Sequence, residues 1–254
     1  MTGQAMEVGL SGHWGSPNQA RFRQRDQVLI RLAERLIEQQ GLVSFRFSEL
    51  APLAGCSAGT LYKHFASKED LLIAIFARQV EGLVASQPHF LSCSLSHAEC
   101  WIAMHLYAVM ASQQANWSLG LNTLGGAPQV LEKASDFRVQ ELKMYLTQFY
   151  NTILRVIEGA RIQGELCATD QQVQTVHTML SYFQRGAAGT LENPLMEDAV
   201  AGLSARQLYD AFAVFINTLE WKQPLRVDSY SRIIAAVELQ LSERQAEREL
   251  LAVI

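Results

Sequence analysis

The chain has 254 residues, 49% of them hydrophobic and 18% charged, with a formal net charge of −4. That composition suits a well-cored globular protein with one large or two small domains and argues against a general nucleic-acid coat. No run reaches the roughly 18 to 20 apolar residues of a membrane span, and the N-terminus lacks a basic region followed by an apolar core, so a cytoplasmic location is expected. The four cysteines, Cys56, Cys93, Cys100 and Cys167, form no CxxC pair and are expected to be reduced and structural.

In chain order, residues 1–18 are rich in Gly, Ser and Gln, carry no Arg or Lys, and are expected to form a flexible arm. A helix is predicted from Arg21 to Gln40, its apolar face marked by Val28, Leu29, Leu32, Ala33, Leu36 and Ile37 and its start carrying Arg21, Arg23 and Arg25. Those arginines suit phosphate contact or a solvated face equally. Two short helical patterns follow on either side of Gly55. Ser48 is placed to cap the first, with Leu50, Leu53 and Ala54 as its buried face. Gly55 is placed to take the left-handed conformation that ends it, and Ser57 to cap the second, which runs to Phe65 with Leu61 and Phe65 on one face. A short helix with an apolar back and a front of hydroxyls and cations fits the major groove of DNA, and the spacing is that of a helix-turn-helix.

The run Glu49-Leu50-Ala51, Ala54-Gly55-Cys56-Ser57, Gly59-Thr60-Leu61-Tyr62-Lys63-His64-Phe65, Lys68-Glu69-Asp70-Leu71-Leu72 resembles the N-terminal domain of the tetracycline-repressor (TetR) family of bacterial transcription regulators. The resemblance covers about residues 22 to 85. It departs from the family pattern at Pro52, inside the first motif helix, and at Arg46-Phe47. It implies DNA-facing roles for Ser48, Ser57, Ala58, Gly59, Thr60, Tyr62, Lys63, His64 and Lys68. Ala58, Gly59 and Thr60 would lie nearest the bases, Tyr62 and His64 at or just behind the phosphates, and Lys68 on a phosphate. Residues 18–70 carry a net charge of +2 and residues 71–254 a net of −5, so the basic end coincides with the motif.

Beyond it, Ser67 is expected to cap a helix that Gln87-Pro88 ends. Ser96-His97-Ala98-Glu99 reads as a capping box opening a helix to about Gln114, followed by a short helix over Trp117–Leu124. Pro128 is predicted to start one long helix reaching Gln163. Thr169 to Gln172 opens a helix to Leu191, and Ser204 opens another that Gln223-Pro224 stops. A last helix covers Tyr230–Leu251, whose closing Glu/Arg run reads as a solvated face. No strand alternation appears. The expected architecture is therefore all-α: a flexible arm over 1–18, a three-helix helix-turn-helix domain over 19–70 and a larger helical bundle over 71–254.

Catalytic motifs are absent, so no enzyme activity and no cofactor is expected. Cys93, His97 and Cys100 offer three zinc ligands without a fourth, and no metal is expected either. The resemblance implies a DNA-binding regulator, usually a repressor, whose body binds a small molecule. The alternatives are a regulator answering to a protein partner or to no ligand, and a helical small-molecule enzyme with accessory DNA binding. Trp101, Met104, His105, Trp117, Phe149, Tyr182 and Phe183 are the candidate walls of an apolar ligand site. A homodimer on a palindromic double-stranded operator is expected through the helices at about 171–191 and 204–222. The candidate interface residues are Phe183, Gly186, Ala187, Leu208, Phe212, Phe215, Ile216 and Leu219.

Overall fold

A computed structural model describes residues 17–114, 120–121, 124–191 and 204–252. The expected arm, up to residue 16, lies outside the described residues, as do Trp117 and most of its predicted helix. The chain divides into two compact units, Met1–Lys68 and Glu69–Ile254.

In the first unit, α1 spans Pro17–Gln40, starting four residues before the predicted position with proline at its first turn. A 3-10 turn, Phe47–Glu49, leads into a four-residue α2, Leu50–Leu53, and α3 covers Ala58–His64. The expected Ser48 cap does not form. Ser48 sits inside the 3-10 turn, whose own N-cap, Arg46, makes no side-chain bond. The tighter entry rotates α2, so Leu50 and Ala51 are buried while Leu53, expected inside, is 56% exposed. Pro52 falls in the first turn of α2, where no backbone donor is required. Gly55 takes φ +59 and closes α2, with the Cys56 amide donating to the Ala51 carbonyl at 2.9 Å. Ser57 caps α3, its Oγ accepting the Thr60 amide at 3.1 Å.

The second unit is a helical bundle around α5, His97–Gln113, opened by the Ser96–Glu99 capping box. Every residue from Ala98 to Val109 is buried, which requires cover on all sides. That cover comes from α7 (Asp136–Ile162), α8 (Asp170–Leu191), α9 (Ala205–Ile216) and α10 (Ser229–Ala252). The fourth helix, α4, spans Lys68–Ser92 and runs straight through Pro88, which was expected to end it. Buried Phe90 and the bond between His89 Nε2 and the Ala236 carbonyl at 3.1 Å hold the last turn, so packing outweighs the lost backbone donor.

The long helix expected from Pro128 is broken in two. A single turn, α6 (Pro128–Leu131), precedes α7, which Ser135 caps. The break is fixed from α4: Asp70 Oδ1 accepts both the Ser135 amide at 2.9 Å and the Ser135 hydroxyl at 2.7 Å. Two strands that the sequence pattern did not announce, β1 (Leu166–Cys167) and β2 (Glu220–Trp221), pair antiparallel with Leu166 opposite Trp221. α9 accordingly ends at Ile216 rather than at Gln223, and Asn217 pins the loop by bonding both backbone groups of Leu225. Among the described residues no helix is long and apolar enough to cross a membrane.

Ser135→Ala removes the α7 cap and a partner of a buried carboxylate. We expect the larger unit to lose about 1–2 kcal/mol, read by chemical denaturation. An unchanged midpoint would show that the break is held by something else.

Candidate functional site

The first candidate surface is the outer face of α3. Ala58, Gly59 and Lys63 are exposed, Tyr62 is 58% exposed, and Leu61 is turned inward. Thr60 is half-buried, and its hydroxyl lies 3.0 Å from Ser57 Oγ, so both groups serve the helix cap. Tyr62 packs edge-on against Phe47 at 5.5 Å, which orients its ring without burying it. A Cβ added at Gly59 would meet nothing nearer than Ser57 Oγ at 3.9 Å. Internal packing therefore does not demand glycine there, and the bare backbone faces outward.

Lys68 has a different place from the one expected, and His64 takes the position behind the outer face rather than one on it. The His64 side chain is only 5% exposed; its Nδ1 lies 2.5 Å from Asp26 Oδ1 and its ring stacks on Phe22 at 4.1 Å. It ties the end of α3 to the start of α1 and stands behind the exposed face. The same stack brings the α1 segment carrying exposed Arg21 and Arg25 beside the end of α3. The Lys68 ammonium donates to the carbonyls of Val43 at 3.0 Å and Phe45 at 2.9 Å and lies 4.1 Å from the Phe45 ring centre. It latches the loop after α1. Lys63 is the exposed cation of the motif.

The second candidate is a cavity of about 350 Å³ inside the larger unit. Its apolar side is Phe76, Val80 and Leu83 from α4 with Leu146 and Phe149 from α7. Small residues, Ala108 and Ala111 of α5 and Ala188 of α8, leave the space, and Gln79, Gln184, Arg185 and Arg244 supply polar groups. Of the residues expected to line a ligand site, Phe149 borders this cavity. Trp101 and Met104 are closed in the core, Trp101 6.3 Å from Trp221. Tyr182 is 72% exposed, and Phe183 packs edge-on against Phe212 at 5.0 Å. His105 stands one layer behind the cavity, its Nδ1 2.5 Å from the Oε1 of Gln184. Bulky side chains fill space and small ones leave it, so large side chains expected at a ligand site, Trp101 and Met104, close the core instead while alanines border the cavity. Arg244, read as part of a solvated run, instead points inward.

Burial holds the fully enclosed His105 imidazole at a pKa of about 4, the Gln184 bond opposing and His177 reinforcing the shift. His177, itself lowered by burial, packs edge-on against the cavity residue Tyr150 at 5.3 Å. Cys93, His97 and Cys100 each have partners within the protein. His97 bonds Glu165 at 2.8 Å, Cys93 lies 3.6 Å from His89, and burial pushes the Cys100 thiol up to about 12 while it bonds the Phe90 carbonyl. Among the described residues no group of three metal-ligating side chains is placed to hold an ion.

The expected dimer residues divide as well. Leu208, Phe212, Ile216, Leu219 and Ala187 are buried within the chain's own core, because α9 turns its apolar stripe toward α5. Phe183 and Phe215 are partly buried against that core. The open face of α8 is instead Met179, Tyr182, Gly186 and Gly189, spaced as one helical stripe, with Val214 67% exposed on α9.

A helix-turn-helix with a capped, outward-facing second helix, joined to a helical unit with an internal cavity, defines a DNA-binding regulator of transcription. Residues 29–75 match the model of bacterial regulatory proteins of the tetR family. No protein of curated function matches the sequence significantly. Among solved structures, RolR in complex with resorcinol is similar over 85% of this chain and 95% of its own, at 16% identity and a TM-score of 0.58. A protein of unknown function from Rhodococcus sp. RHA1 is similar over 83% and 99%, at 22% identity and 0.57. FadR from Bacillus subtilis in complex with stearoyl-CoA is similar over 75% and 95%, at 18% identity and 0.50. At these identities the likeness is one of fold.

Two expectations follow. Lys63→Ala should weaken DNA binding and flatten its salt dependence by about one, whereas Lys68→Ala should loosen the first unit by about 1–3 kcal/mol with the salt slope retained. Gel shifts across a salt series, with amide exchange at α2 and α3, separate the two; a flattened slope for Lys68→Ala would restore it as a phosphate contact. The second concerns acid. An unfolded His105 takes up a proton below its ordinary 6.5, the folded one only near 4. In that window the unfolded state binds more protons, so stability that is complete above the upper value is lost as pH falls toward the lower. Urea midpoints measured through the window should fall, and should fall less for His105→Gln; equal slopes would exclude His105 as a source.

Proposed function

We propose that this regulator is a repressor that binds a palindromic double-stranded operator as a homodimer and is released by a small apolar or amphipathic molecule held in the cavity of the larger unit. One observation carries the reading: α4 begins at Lys68, directly after the motif, and the same helix supplies Phe76, Gln79, Val80 and Leu83 to the cavity wall. A ligand that shifts α4 acts on the element leading straight into the DNA-reading domain, which is the differential contact that coupling between two sites requires. Proteins of similar fold have been solved with small molecules, RolR in complex with resorcinol and FadR in complex with stearoyl-CoA, which supports the reading. Ala58 and Gly59 would approach base edges closely, with Tyr62 and Lys63 on the backbone. A location in the cytoplasm, with the DNA, goes with this role.

A lone short recognition helix reads too few base pairs for specificity, so a two-fold dimer is the geometric remedy. The open stripe of α8, with its two glycines allowing close approach, and Val214 of α9 are the surfaces available for it.

The test is a gel shift on the DNA upstream of the protein's own gene, with release by added metabolites as the second readout. Failure to shift any upstream fragment would count against repression of its own promoter. For assembly, Val214→Glu and Tyr182→Glu should yield monomers that keep their helical content and lose operator affinity. Light scattering that finds both variants still dimeric would move the interface elsewhere.

A further inference from the structure

We propose that the cavity takes a small carboxylic acid, its carboxylate on the Arg244 guanidinium and its tail against Phe76, Val80, Leu83 and Phe149; the proposal rests on the reading of this cavity as the effector site. Arg244 reaches the wall from α10 and is half-buried. Among the described residues its polar contact is the Tyr107 hydroxyl at 3.4 Å, a long bond to a neutral group. A guanidinium drawn out of water without an anion is costly, and a bound anion removes that cost.

The chain also makes room for this cation. A Cβ at Gly82 of α4 would lie 2.8 Å from Arg244 Nη2 and 3.2 Å from its Cζ, so the guanidinium rests on bare helix backbone. Glycine inside a helix costs roughly 0.5–1 kcal/mol relative to alanine, and the seat for Arg244 is the local reason to keep it. One turn away on the same helix, Gln79 Nε2 is buried in the cavity wall with no hydrogen-bond partner among the described residues.

The remaining polar inventory points the same way. The Gln184 Oε1 is taken by His105, Ser112 donates to the Val109 carbonyl, and Arg185 adds a second, exposed cation at the rim. Among the described residues no Asp or Glu lines the space. Free donors facing an apolar wall call for a ligand with an acceptor-only, anionic head and an apolar body. A guanidinium fork with one amide matches the two oxygens of a carboxylate. A volume of about 350 Å³ stands at the small end of ligand pockets, which suits a short-chain or aromatic acid.

The experiment titrates octanoate and phenylacetate, with octanamide, phenylacetamide and octyl phosphate alongside, into the full-length protein by calorimetry near neutral pH. At least one acid should bind, and its amide should bind about tenfold to a hundredfold more weakly, as for loss of one charge-assisted contact. Arg244→Met should erase that preference. Gly82→Ala should erase it too while leaving the melting temperature at or above that of the unaltered protein, because the added methyl displaces only the flexible end of Arg244. Amides binding as tightly as acids would overturn the anion inference and leave the effector cavity standing. A preference for acids that survives both substitutions would overturn the role of Arg244, and tighter Arg244-dependent binding of octyl phosphate would replace the carboxylate class with phosphate. Binding of none of these probes would overturn the proposal together with the effector reading.

Discussion

The larger unit depends on one constraint: α5 is buried on every side. Twelve successive residues from Ala98 to Val109 have lost contact with water, so each face of the helix needs its own cover, and α7, α8, α9 and α10 provide it. Burial of this kind, at about 25 cal/mol for each square ångström of apolar surface, dominates the assembly of the bundle. It also explains why Glu99, within this stretch, is both a capping residue and the partner of Arg232: a carboxylate there must be satisfied completely. Where α5 presents alanine at positions 108 and 111, the cover does not close, and the cavity is the result. Core and candidate ligand site are thus two outcomes of one packing problem, decided by side-chain size along a single helix.

The helix-turn-helix is governed by a different economy of contacts. α2 has four residues and α3 seven, too short to persist through helix propagation. They are held by local capping at Ser57 and by long-range pins at His64 and Lys68. This divides the polar residues of the motif into two kinds. Those that fix the helix, Ser57, Thr60, His64 and Lys68, have protein partners. Those left facing outward, Ala58, Gly59, Tyr62 and Lys63, are the ones available to DNA. A motif in the sequence contains both kinds without distinguishing them.

What was legible in the sequence is what is local. The caps at Ser57, Ser96, Thr169 and Ser204 were readable because donor and acceptor lie three residues apart, and all four form. The helical class and the helix-turn-helix followed from periodicity and from a short run of residues. The failed cap at Ser48 is a local exception, lost to the 3-10 turn that contains it, but the other misreadings share a non-local cause. Helix α4 passes Pro88 because of a contact to Ala236, and the break at Ser135 is dictated by Asp70, 65 positions away. Leu208, Phe212 and Ile216 looked like surplus apolar surface only because the helix that buries them, α5, is a hundred positions earlier. The cavity was invisible for a related reason: a void is where several distant elements jointly fail to place bulk.

Helix α8 shows how the proposed activities share material. Its inward residues Val173, Val176 and Leu180 belong to the core, Gln184, Arg185 and Ala188 border the cavity, and Met179, Tyr182, Gly186 and Gly189 form the open stripe. Because a helix is stiff along its axis, these three surfaces cannot shift independently. An anion that draws Arg185 or Arg244 toward the cavity would therefore bias the same rod that is offered to a second subunit, while α4 carries the change toward the motif. Small displacements suffice in such an arrangement, since packed interfaces hold a few discrete arrangements rather than deforming continuously. On this reading, charge placed at the rim of the cavity couples ligand to assembly as well as to DNA, without any contact between the ligand and either.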